Sequence, residues 1–109
     1  MLSANELRIG NFVNVKTIWQ DQIYSVSEGC VTLRANGLFP LEVIKPIPLT
    51  EEWLLKFDFD KYNLGFWCSS DALYFEYGDG RSVEIKYVHS LQNIYFALTG
   101  EELTIKNEN

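Results

Sequence analysis

Residues 22–43, QIYSVSEGCVTLRANGLFPLEV, decide the fold, because two turn signals inside them fix which side chains share a face. Paired strand residues lie on one side of a sheet, and the length of the connecting loop sets the pairing. A two-residue turn at Glu28 and Gly29 puts Val26 opposite Val31 and Tyr24 opposite Leu33, gathering four apolar side chains on one side. The second turn must continue that side. At Ala35, Asn36 and Gly37 a two-residue loop would set Leu33 against Pro40, whereas a three-residue loop with Gly37 left-handed pairs Leu33 with Phe39 and Val31 with Leu41. The three-residue loop is the consistent choice. The segment therefore reads as an antiparallel meander with Tyr24, Val26, Val31, Leu33, Phe39, Leu41 and Val43 inward.

Ahead of the meander, LRIGNFVNV gives a turn at Gly10 and Asn11, then alternation through Val13 and Val15, which adds a fourth strand. A turn, a short valine-rich strand and a tight meander within some 40 residues resemble the opening of a small SH3-like barrel. After it, KPIPLT (45–50) is an extended connector, since each proline fixes its own φ and biases its predecessor away from helix. A short helix then begins. Thr50 is its N-cap, Glu51 and Glu52 suit the positive end of the helix dipole, and Leu49 can staple to Leu54. Trp53, Leu54 and Phe57 form its apolar stripe, and helical character is lost from Asp58 to Asn63.

The same parity argument orders the second half. A connection from Ser69 to Ala72 sets Phe66 opposite Phe75 and Cys68 opposite Leu73. The Gly78, Asp79, Gly80 turn must then be odd, so that Phe75 faces Val83 and Leu73 faces Ile85; a two-residue loop would bring Phe75 against Glu84. The inward set becomes Leu64, Phe66, Cys68, Leu73, Phe75, Tyr77, Val83, Ile85 and Tyr87. A second helix follows in HSLQNIYFALTG, with Leu91, Ile94, Tyr95 and Leu98 on one stripe and Gly100 as its terminator. Leu103 and Ile105 alternate with polar neighbours and suggest a last edge strand. The fold class is α+β in a single domain over 1–109: a β-rich half, 1–49, forming an SH3-like antiparallel meander or partial barrel, and an αβββα half, 50–109, in which a three-stranded antiparallel meander is packed by the C-terminal helix.

The 109 residues carry 9 Lys plus Arg against 15 Asp plus Glu, a formal net charge of -6. Polyanions are repelled on average, and the basic residues are scattered singly, so nucleic acid is not an expected partner. No stretch approaches the roughly 18 apolar residues of a membrane span, and the amino terminus lacks the pattern of a secretory signal, so the expectation is a cytoplasmic protein without membrane association. Cys30 and Cys68 lie too far from each other and from further Cys or His to make a zinc or redox motif, and read as reduced thiols. Asp58, Asp60 and Asn63 superficially suggest a calcium loop, but Asn63 stands where glycine is required and Ser69 where the bidentate glutamate is required. No metal or cofactor is expected. His89, the single histidine, sits at the start of the second helix, where it can cap backbone amides; no nucleophile and orienting carboxylate accompany it, so no enzymatic activity is expected.

One surface resists a purely structural reading. By register the outer face of the second sheet carries Trp67 beside Tyr74, with Glu76, Glu84 and Lys86 around them, the aromatic centre and polar rim of an interface hot spot. These five are the candidate binding residues. The face is either covered by the first half, used for self-association, or presented to a protein partner. The alternative is a small-ligand-binding protein or enzyme with a pocket between the two sheets, using His89 with Tyr or Glu side chains.

Three stretches, ELRIGNFV, KPIPLTEEWLLKFDF and YVHSLQNIYFALTGEEL, resemble those of a family of short bacterial proteins without an assigned activity, frequent in prophages and other mobile elements. They cover roughly 40 of the 109 positions, and HSLQNIYFALTGEEL is the most specific of them. The resemblance implies a cytoplasmic accessory protein of a mobile element without enzymatic activity; the aromatic outer face and the absent catalytic constellation make a protein–protein interaction module the leading expectation.

Overall fold

The computed structural model describes residues 2, 6–16, 19–59, 64–69 and 72–106. Its first half is a curled antiparallel sheet of five strands in the order β4-β3-β2-β1-β5, built from β1 (Phe12–Val15), β2 (Trp19–Ser27), β3 (Cys30–Leu33), β4 (Gly37–Pro40) and β5 (Ile44–Lys45). A single 3-10 turn, Leu41–Val43, separates β4 from β5 and returns the chain to the free side of β1. That return curls the sheet into a half-barrel. Val13, Val15, Ile23, Val31, Leu33 and Ile44 are buried inside it, with Val26, Phe39, Leu41 and Val43 packed at the margin.

Parity holds in this meander, with two corrections. The first concerns Tyr24. Val26 faces Val31 as expected, but a bulge between Ile23 and Ser25 sets Ile23, not Tyr24, opposite Leu33. The extra residue reverses the alternation upstream of it: Ile23 is fully buried and Tyr24 is 61% exposed. The second concerns the next loop. Gly37 is left-handed at φ 87°, but it is the first residue of β4 rather than the last of the loop, so Leu33 pairs with Gly37 and Val31 with Phe39. A shift of two leaves each side chain on its expected face.

The connector 45–50 leads into α1 (Glu51–Phe57), whose first turn is capped where Thr50 Oγ1 accepts from the Trp53 amide at 3.4 Å. Asp58 ends the helix in the left-handed conformation. Trp53, Leu54 and Phe57 are buried, and Leu49 packs at the edge of the same cluster. The second sheet has the order β6-β7-β8, from β6 (Phe66–Ser69), β7 (Ala72–Gly78) and β8 (Arg81–Ile85), and the last helix is α2 (Val88–Thr99). Gly100, at φ 76°, donates its amide to the Phe96 carbonyl and ends α2 as expected.

The second meander has the expected register throughout: Phe66 with Phe75, Cys68 with Leu73, Phe75 with Val83 and Leu73 with Ile85. Its odd residue sits elsewhere. The turn itself is the two-residue Asp79-Gly80, both left-handed, and a bulge at Tyr77 and Gly78 restores the count. Burial falls off along the inner face. Phe66, Leu73 and Ile85 are buried and Cys68 and Phe75 half-buried, but Leu64, Tyr77, Val83 and Tyr87 are exposed, contrary to expectation. Leu64 lies in a left-handed turn ahead of β6, Tyr77 is the bulge residue, Tyr87 has left the sheet to bridge Pro48, and Val83 keeps its face near the uncovered hairpin tip.

Two further expectations are corrected. Leu98 is exposed on the last turn of α2, beyond the stripe of Leu91, Ile94 and Tyr95 that meets the core. Residues 101–106 form no strand, although Leu103 is buried and Ile105 half-buried; the segment is tied down by the Lys106 amide donating to the Lys56 carbonyl at 2.7 Å. Calcium-loop positions Asp60 and Asn63 lie outside the described residues.

Candidate functional site

Strand alternation puts Tyr74 and Glu76 of β7 and Glu84 of β8 opposite the core, and the pairing of Trp67 in β6 with Tyr74 puts it on the same outer face. Trp67, Tyr74 and Glu84 form one cross-strand row, and Glu76 and Ser82 the next toward the hairpin tip. Lys86 follows β8 on the same side and is exposed. The Trp67 and Tyr74 rings stack, with centroids 4.4 Å apart and planes 14° from parallel. Trp67 Nε1 reaches over β7 to donate to Ser82 Oγ at 3.2 Å. Stacking and that hydrogen bond hold the indole in place while leaving Trp67 36% exposed. Tyr74 beside it is half-buried. Glu76 and Glu84 are exposed beside the rings, and no described cation is seated on either ring.

A second cluster was not expected. Arg8, Gly10 and Asn11, from the LRIGN stretch, meet Gln92, Asn93, Phe96 and Glu102, from the HSLQNIYFALTGEEL stretch. Gln92 is fully buried; its Nε2 donates to the Gly10 carbonyl at 2.9 Å, and its Oε1 accepts from the Phe12 amide at 2.8 Å. The cause lies in strand length. The Lys16 amide donates to the carbonyl of Val43, the residue just before β5, so every second residue back along β1 points its backbone to that side, and the two-residue β5 ends before reaching Phe12. Gln92 takes the place of the missing strand. Beside it, Asn93 Oδ1 accepts from Asn11 Nδ2 and from the Arg8 guanidinium, each at 3.0 Å, while Arg8 also pairs with Glu102 and lies 4.2 Å over the Phe96 ring. Phe12 packs on Trp53 at 5.2 Å, so one strand is joined to the second half on polar and apolar sides alike.

The sequence shows only that Gln92 and Asn93 follow Leu91 directly at the edge of an apolar stripe. A side chain on a helix gives no indication from sequence that it will bond to a strand 80 residues away.

His89 does not cap amides. It is buried, Nε2 lies 2.9 Å from Glu6 Oε1, Nδ1 has no hydrogen-bond partner among the described residues, and the ring stacks on Tyr87 at 5.9 Å between centroids. An open groove of about 700 Å³ does run between the two halves, past Arg8, Gln22, Arg34, Phe96 and Thr104, but His89 does not line it. The thiols of Cys30 and Cys68 are unpaired and both half-buried. Among the described residues no three His, Cys, Asp or Glu side chains gather as metal ligands, and no helix is long and apolar enough to cross a membrane. No protein-family model, curated protein or solved structure matches the chain.

Proposed function

We propose that this protein is a non-catalytic protein–protein interaction module of a prophage or other mobile element, acting in the cytoplasm through the outer face of its second sheet. The observation that carries this reading is the exposed Trp67 stacked on Tyr74, with Glu76, Glu84 and Lys86 around the pair. Large aromatic groups fixed on strands lose little conformational freedom when a partner arrives, and such groups dominate binding energy at interfaces. Replacing Trp67 and Tyr74 together with alanine is expected to abolish retention of a defined host protein, or dimer formation, while unfolding stays cooperative. Association unchanged in both respects removes the face from consideration.

The groove between the halves supports a second reading, small-molecule binding beside Arg34, whose guanidinium has no side-chain partner among the described residues. A metabolite that raises the melting temperature of the wild-type chain but not of Arg34→Ala would favour it.

A further inference from the structure

Twice within this chain a cation, an aromatic ring and a carboxylate occur as a set. Lys56 Nζ lies 4.5 Å over the Trp53 ring and 3.8 Å from Glu52 Oε1; the Arg8 guanidinium lies over Phe96 and pairs with Glu102. The outer face of the second sheet carries the rings and carboxylates of such a set, with no described cation engaged on them. Trp67 and Tyr74 provide the rings, Glu76 and Glu84 the carboxylates, and no described cation sits on them. Lys86 shares the face but forms no ion pair with Glu84.

We infer that the missing cation is supplied by a partner: this face binds an arginine-bearing segment of a different protein, its guanidinium stacked on the Trp67 indole and bonded to Glu76 or Glu84. The inference rests on the reading of this face as an interaction surface and names its ligand. Arginine fits better than lysine because a planar guanidinium stacks on a ring while its edge donates to carboxylates, whereas an ammonium is a point charge that holds its water. A different protein fits better than a second copy, because two chains of net charge -6 repel and would bring Glu76 and Glu84 against their own kind.

The test follows the indole N–H resonance of Trp67, assigned with Trp67→Phe, during titration with a neutral-ended glycine peptide bearing two arginines. A saturable shift is expected, lost with the citrulline form of the peptide and weakened at least about tenfold by E76Q/E84Q, but by no more than about twofold by the remote pair E28Q/E42Q. No saturable shift, equal binding of the citrulline peptide, or equal weakening by the two double variants would overturn the inference. The wider reading is judged separately. If the tryptophan and tyrosine replacements abolish partner retention while the arginine peptide leaves the resonance unmoved, the face is an interface for another chemistry; if sedimentation shows those replacements dissolving a dimer, the occupant is a second copy and the inference falls.

Discussion

Replacing Gln92 with leucine tests whether the two halves are held together by polar groups as well as by apolar packing. Leucine is close in volume and fits a helix, so the substitution removes hydrogen bonds without opening a large cavity. Two bonds are lost outright: Gln92 Nε2 to the Gly10 carbonyl at 2.9 Å and the Phe12 amide to Gln92 Oε1 at 2.8 Å. Their consequences differ. The Gly10 carbonyl still accepts from Gln22 Nε2 at 3.0 Å, so its loss is a normal net hydrogen bond of about 1 kcal/mol. The Phe12 amide has no strand beside it and is left unsatisfied, which costs about 1–3 kcal/mol. Asn11 Nδ2 loses only a long contact at 3.4 Å and keeps Asn93. The sum is about 2–4 kcal/mol, which for a domain of this size lowers the melting temperature by roughly 10–25 °C. Urea unfolding followed by tryptophan fluorescence measures it directly, with the slope unchanged and the midpoint shifted. A loss under about 0.5 kcal/mol would refute the reasoning, because Gln92 would then be bonding to groups that water can serve equally well.

Three shorter predictions follow from the fold. Ile23→Ala should cost about 2–5 kcal/mol and Tyr24→Lys less than about 0.5 kcal/mol, as chemical denaturation will show; the reverse order would place the bulge in β2 wrongly. Thr50→Ala should destabilise by about 0.5–2 kcal/mol through loss of the α1 cap, with Thr50→Asp close to wild type in the same assay. Gly80→Val, which forces a β-branched residue to φ 76° in open space, should lower the melting temperature in a calorimetric scan, whereas Asp79→Asn, a residue equally at ease in the left-handed region, should not.

Register was legible where a turn signal and an apolar pattern agreed, and the second sheet shows why. Glycine at 78 and 80 with aspartate between them demands a reversal, and only an odd count brings Leu73, Phe75, Val83 and Ile85 onto one face. The bulges were not legible. A bulge in β2 moves Tyr24 out and Ile23 in, and IleTyr is equally apolar in either order, so the pattern carries no preference between them. Depth of burial was also hidden. Alternation says which face a side chain takes, but Val83 and Leu98 lie on the expected faces beyond the reach of any covering element. The pairing of Trp67, Tyr74, Glu76 and Glu84 depends on register alone and follows the turns, while the cluster around Gln92 depends on how two distant elements dock, and periodicity does not report that.

The division of polar groups between the two clusters bears on how the protein would act. Around Gln92 donors and acceptors are directed inward: Arg8 is neutralised by Glu102, and Asn11, Gln92 and Asn93 are bonded to one another or to backbone. Such a network fixes how β1 sits on α2 but has little left to offer a ligand. On the outer face of β6, β7 and β8 the opposite holds. Trp67 uses its one donor on Ser82, and the carboxylates of Glu76 and Glu84 are exposed, with no ion pair among the described residues. If this face takes the arginine-bearing segment inferred above, its positive charge is required to offset whatever desolvation the two carboxylates undergo. That requirement makes salt a discriminating variable. Raising ionic strength should weaken an arginine-mediated complex steeply while leaving the Gln92 network, buried and uncharged at its centre, almost unaffected.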